Sequence, residues 1–100
     1  MGFVKKYKDP DARLDYLFNG ADWLPEGDLF TSAIVTVYKV GTTEETDAIV
    51  IDDQDFNDLQ IIAWIAPGGN AGESYDVTAH YGTRDGREDD CTFTLQLKEK

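Results

Sequence analysis

Two segments near the C-terminus alternate with a strict period of two. Tyr75, Val77, Ala79 and Tyr81 alternate with Asp76, Thr78 and His80, and Cys91, Phe93, Leu95 and Leu97 alternate with Thr92, Thr94, Gln96 and Lys98. That spacing puts one set of side chains on a core and the other in water, as in a half-buried strand. Nowhere does a sustained apolar pattern at helical spacing compete with it. Between the two segments stands Asp85-Gly86, a hairpin signal. Residues 74–82 and 90–98 therefore read as an antiparallel pair with a somewhat long connection. A chain whose strongest amphipathic segments have this period must build its core from sheets.

The rest of the chain follows. Turn-forming clusters recur at Asp9-Pro10-Asp11, Pro25-Glu26-Gly27-Asp28, Gly41-Thr42-Thr43, Pro67-Gly68-Gly69-Asn70 and Arg84-Asp85-Gly86-Arg87. The short segments between them are rich in β-branched and aromatic residues. Strands are expected at residues 12–18, 30–40, 48–51 and 59–65, with a seventh near 3–7. In the long segment from Phe30 to Val40, Ala33, Val35 and Val37 share one face and Ile34 and Tyr38 the other, which reads as a central strand or one with a bulge. Residues 52–58 read as an acidic loop, with Asp52 or Asp53 able to cap a single helical turn. With 100 residues of even composition the chain is expected to be one domain, residues 1–100. Short strands between turns, without a long helix, give an all-β fold: an antiparallel β-sandwich of about seven strands. Tyr75, just after the Gly72 corner and at the start of the penultimate strand, stands where an immunoglobulin-like sandwich carries its tyrosine corner.

Charge and the reactive side chains narrow the function. Nine Lys and Arg against 20 Asp and Glu give a net charge of −11, which argues against nucleic acid or an anionic membrane as partner. No apolar run approaches the ~20 residues that span a bilayer, and no apolar stretch follows the cations of residues 1–8, so no signal peptide is expected. The single cysteine, Cys91, is in phase with Phe93 and Leu95 and reads as core; a reducing compartment is the default. The single histidine, His80, alternates to the outward face and has no nucleophile motif beside it. One Cys and one His exclude the usual zinc sites. Asp53-Gln54-Asp55-Phe56-Asn57 opens like a calcium loop, but Asp58 occupies the glycine position and Trp64 that of the bidentate glutamate. The glycine-rich 68–72 stretch lacks a phosphate-loop lysine and reads as a wide turn, or as a place of close backbone approach. No carboxylate pair stands out from the 20 acidic residues. The expectation is a protein that is not an enzyme, with no cofactor, no metal and no catalytic residues.

What remains for binding is aromatic and glycine-rich. Trp64 shares one face of its strand with Ile62, while Ile61, Ala63 and Ile65 share the other. A strand apolar on both faces is either central or covers a partner. Trp23 lies beside a turn, where by default it plugs the end of the sandwich and otherwise anchors an interface. Trp23, Trp64, Phe56, Gly69 and Asn70 are the candidate interface residues.

With these segments laid out, the chain resembles a known family. Lys8-Asp9-Pro10-Asp11-Ala12-Arg13-Leu14-Asp15-Tyr16, then Asp22-Trp23-Leu24 and Glu26-Gly27-Asp28, is similar to the opening of small bacteriophage tail-fibre adaptors. Gly69-Asn70-Ala71-Gly72-Glu73-Ser74-Tyr75-Asp76-Val77-Thr78, continuing through Thr83-Arg84-Asp85-Gly86-Arg87 to Phe93, Leu95 and Leu97, resembles that family's second signature. The pattern departs at Phe18-Asn19-Gly20, where the family often carries an Asp-Trp pair. The resemblance implies an immunoglobulin-like virion structural protein, made in the host bacterial cytoplasm and joining tail or connector proteins to fibres in several symmetric copies. A capsid decoration protein and a free calcium-binding recognition module are the alternatives. The partners implied are other phage structural proteins: tail, connector, fibre or capsid.

Overall fold

The structure, a computed structural model, describes residues 4–99. Seven strands follow one another: β1 (Val4–Lys8), β2 (Leu14–Asn19), β3 (Phe30–Lys39), β4 (Ile51–Phe56), β5 (Gln60–Ile65), β6 (Ser74–Thr83) and β7 (Glu88–Leu97). One 3-10 turn, Gly20–Asp22, follows β2. The strands form a four-stranded sheet in the order β1-β7-β6-β3 and a three-stranded sheet in the order β2-β5-β4. All neighbours are antiparallel except β1 and β7, which run parallel. Taken in chain order, 2-5-4 facing 7-6-3 is the strand order of an immunoglobulin-like sandwich, in agreement with the sequence. Phe3, the first residue of the expected seventh strand, lies outside the described residues.

The alternation read from the sequence builds the core. Tyr75, Val77, Ala79 and Tyr81 of β6 and Phe93, Leu95 and Leu97 of β7 are buried against Tyr16 and Phe18 of β2 and Ile61, Ala63 and Ile65 of β5. Phe93 sits between the two sheets with its ring 5.4 Å from Tyr16 and 5.3 Å from Phe18. Each such side chain contributes about 1.5–3 kcal/mol by leaving water. The Tyr16 hydroxyl donates to the Tyr7 carbonyl, 2.9 Å away, tying β2 to β1. Burial, with Asp15 beside it, pushes that hydroxyl's pKa up to about 12. Lys8 is buried, and its ammonium donates to the carbonyls of Asp9 (2.9 Å) and Pro10 (3.5 Å). Burial lowers its pKa, which Asp9 and Asp11 partly offset.

Three expectations change. Of the strand expected at 48–51 only its last residue is one: residues 48–50 are loop, from which Ile49 is buried, and Ile51 opens β4, Ile51–Phe56, which runs on where an acidic loop was expected. The segment Asp52-Asp53-Gln54-Asp55 pairs with β5 through backbone and leaves its side chains exposed, so it carries no apolar alternation to be read. Of the two readings of β3, central or bulged, the bulge holds, as a register shift between Phe30 and Ser32, and the central place does not: β3 is the edge of its sheet, with Ile34 64% exposed. Tyr75 is buried at the start of β6, but its hydroxyl meets the Glu73 carboxylate rather than backbone upstream.

Candidate docking surfaces

At one end of the sandwich the 3-10 turn brings Trp23 over the core. Its ring lies 6.3 Å from Phe30 and 6.2 Å from Tyr81, and its indole N–H donates to the Tyr81 hydroxyl at 3.0 Å. The turn fits because Gly20 leaves room: a Cβ there would stand 2.6 Å from the Phe30 ring and 2.8 Å from the Leu59 carbonyl. Beside it, Asp28 is buried and accepts the amides of Leu29 (3.0 Å) and Asp85 (3.2 Å) and Nη1 of Arg87 (2.9 Å). Burial alone would raise the Asp28 carboxyl, but the Thr83 hydroxyl, the two amides and Arg87 outweigh it and hold the carboxyl below the usual range. Arg84 donates to the Gly27 carbonyl from the same hairpin. Trp23 is thus an end-plug in a pinned corner. Next to it Trp23, Leu24, Tyr81, Arg87 and Cys91 line a hollow. Cys91 is half-buried there, and burial, with Asp89 nearby, pushes its thiol up and away from the reactive thiolate.

The opposite end carries Gly69 and Asn70. Gly69 has φ +76°, and a Cβ on it would meet Leu97 Cδ1 at 2.3 Å and Ile49 Cγ2 at 3.2 Å. The close approach at this glycine is therefore to its own core. Asn70 is exposed, and its amide donates to Glu73 Oε1 at 2.7 Å.

Trp64 is on β5, the middle strand of the smaller sheet. Register places Asp15, Trp64 and Asp53 side by side on the outer face, and next to them Leu17, Ile62 and Asp55. The result is an apolar strip of Leu17, Ile62 and Trp64 among carboxylates. Arg13 lies over Trp64, its Cζ 4.5 Å from the ring centroid, and its Nε is held by Asp52 at 2.8 Å. Such contact of a guanidinium with a half-buried indole shields the ring's outer side. Phe56 is 37% exposed at the end of β4, in register with inward-facing Ile61. The five candidate residues consequently do not form one surface. Trp23 and the Gly69-Asn70 pair are at opposite ends, and Trp64 alone lies on an open sheet face.

His80 is exposed on the outer face of the larger sheet, its Nδ1 2.6 Å from Asp90 Oδ1. Thr78 and Thr92 hydroxyls share a 2.8 Å bond beside it, a cross-strand pair that stabilises the sheet. Among the described residues no group of three or more His, Cys, Asp or Glu is placed to hold a metal ion, and the calcium-like run lies on a strand, where Asp53 and Asp55 point away from Gln54. No helix there is long and apolar enough to cross a membrane.

No curated protein matches the chain. A family model does: that of the podophage GP4 fiber-tail adaptor protein gp77, over residues 8–96. That span runs from the end of β1 to the next-to-last residue of β7 and takes in both sheets, so the chain belongs to the podophage fibre–tail adaptor family, a family of virion structural proteins with an all-β fold.

Proposed function

We infer that the domain works by docking, joining a tail or connector protein to a fibre in several copies about a symmetry axis. The family match over residues 8–96 carries this reading. The docking face is the strip of Leu17, Ile62 and Trp64 on β2 and β5, next to Asp15. Its partner is a protein surface with an apolar centre and a basic rim, since an acidic domain finds such a rim faster and rejects acidic surfaces. Trp64, at the end of that strip between Asp15 and Asp53, is a large aromatic, the residue type that dominates interface energies. Chemistry plays no part; position and shape complementarity do.

The experiment is quantitative mass spectrometry of purified particles, counting this chain against the major capsid protein, followed by pull-downs with purified tail and fibre proteins. A low count in step with the tail's rotational symmetry, and capture that falls at least tenfold in Trp64→Ala, are the expected results. A count near that of the capsid protein would make the chain a decoration of the head. Absence from particles, or capture indifferent to Trp64, would remove the adaptor mechanism stated here.

A further inference from the structure

The larger sheet has four strands and the smaller three. Phe93 of β7 packs on Tyr16 and Phe18 of β2, and on the far side Gln54 of β4 accepts the Val35 amide of β3. β2 thus lies across from β7 and β4 across from β3, so β1 extends past the flank of β2. In the constant-type immunoglobulin sandwich the sheet equivalent to β2-β5-β4 carries a fourth strand there, beside the strand equivalent to β2. Here the first strand goes to the opposite sheet, parallel to β7, and β2 is left as an edge.

The four sheet edges differ in the backbone groups they leave open. On β3 the amides of Phe30, Val35 and Lys39 go to the Asp58 carbonyl, Gln54 Oε1 and the Glu44 carbonyl, and the Val37 carbonyl takes the Thr46 amide. That edge is shut along its length. On β4 a register shift between Ile51 and Asp53 bends the edge, and the Asp55 carboxylate takes the Phe56 amide at 2.8 Å. On β1 the Tyr7 carbonyl holds the Tyr16 hydroxyl, and Lys5 and Lys6 supply charge of the kind that blunts an edge. β2 has no such device. The Gly20 amide donates to the Leu59 carbonyl at 2.6 Å in the register of β2 and β5. Residues 14, 16 and 18 therefore bond to β5, and the backbones of Asp15 and Leu17 point the other way. Among the described residues no hydrogen bond reaches those two N–H and two C=O groups, and both residues are exposed.

We propose that β2 is a strand acceptor: an extended segment of the partner protein pairs with Asp15 and Leu17 and becomes the fourth strand of the smaller sheet, facing β1. The inference rests on the docking role given above and names how the partner enters. The groups around the open edge define the segment. Leu14 is on the inner face, across from Ile65, yet 39% exposed. Beside it a hollow between Tyr7, Ala12 and Leu14 is rimmed by Asp9, Lys98 and Glu99, so the inward side chain next to Leu14 is apolar. Lys6, in register with inward-facing Leu95, ends 5.9 Å from the Tyr16 ring, and its ammonium is in no ion pair among the described residues. The inward side chain next to Tyr16 is therefore acidic. Outward, a Lys or Arg stands next to Asp15 and an apolar residue next to Leu17, because opposite charges and apolar pairs stabilise neighbours across strands. The strip of Leu17, Ile62 and Trp64 then continues onto the added strand. Backbone bonds supply the affinity of such a contact and the alternating side chains its specificity.

Pull-downs with purified tail and fibre proteins test it, with Asp15→Pro set against Asp15→Ala. Both remove the carboxylate, but only proline removes the outward amide, and an edge position of this kind tolerates proline. The expected result is capture by Asp15→Pro at least tenfold weaker than by Asp15→Ala, with the two variants melting alike. Should the proline variant melt lower, hydrogen exchange on the unsubstituted chain decides: the amides of Asp15 and Leu17 should exchange fast in the free chain and at least tenfold more slowly in the complex. Equal capture by the two variants, amides that stay fast in the complex, or amides already protected in the free chain would each overturn the proposal. Protection that appears on concentrating the chain alone would overturn it too, by making the added strand a second copy. Capture that is lost in Trp64→Ala but indifferent to Asp15→Pro would remove strand addition and leave the strip as the docking face. No capture of either protein by the parent chain would remove both.

Discussion

Asp28 shows how one side chain organises a corner. Its carboxylate holds the 24–29 segment to the 84–87 hairpin through two amides and Arg87. Because those donors hold its pKa below the unfolded value of about 4, its contribution is fully present above that pH and is lost as pH falls through the lower folded value. Asp28→Asn keeps the size but turns an amide group toward Arg87. It should lower the melting temperature by several degrees at pH 7 and by much less at pH 2, so thermal melts from pH 7 to pH 2 should converge. Little of this was legible in the sequence, where Asp28 reads only as part of a turn and Arg87 stands 59 positions away. Trp23 was legible as an end-plug, since an indole beside a turn at the end of a strand has one apolar place to go. Its partner Tyr81, 58 positions on, was not.

At the scale of the strand, β6 and β7 were legible because each alternates over seven residues, Tyr75–Tyr81 and Cys91–Leu97. β4 was not, since an edge strand whose side chains face water has no apolar residue to mark its period. Its charges also guard the exposed edge against indiscriminate strand pairing. The apolar residues 48–50 gave the opposite error, because Ile49 is buried from a loop. What holds β4 beside β3 is a side chain, Gln54, which satisfies the outward amide of Val35. Gln54→Ala would leave that half-buried donor unpaired. It should cost about 1 kcal/mol in urea unfolding and speed hydrogen exchange at Val35 well ahead of the amides of β6. Of the candidate interface residues, Trp64 joins Trp23 in having its setting written in the sequence, through the two apolar faces of β5; Gly69 and Asn70 resemble a binding loop by composition but serve the packing of their own corner.

For the whole molecule, the count of seven strands and the sandwich follow from turn spacing, whereas the strand order rests on long-range pairings that no local pattern encodes. Net charge acts at this scale. With −11 on one small domain, self-repulsion favours expansion. Raising sodium chloride from about 10 mM to about 300 mM shortens the screening length from ~30 Å to under 10 Å and should raise the melting temperature by a few degrees, about what 0.5–1 kcal/mol does in a domain of this size. The parallel pairing of β1 with β7 has a mechanical side. Five residues of β1, Val4 to Lys8, lie alongside Phe93 to Leu97 in the same direction. A pull between the start of β1 and the end of β7 slides the two strands past each other, so it strains the whole row of bonds at once instead of opening them one by one. In a joint between a fibre and the tail that carries it, tension entering along those two strands would meet the sandwich in the direction in which it yields last.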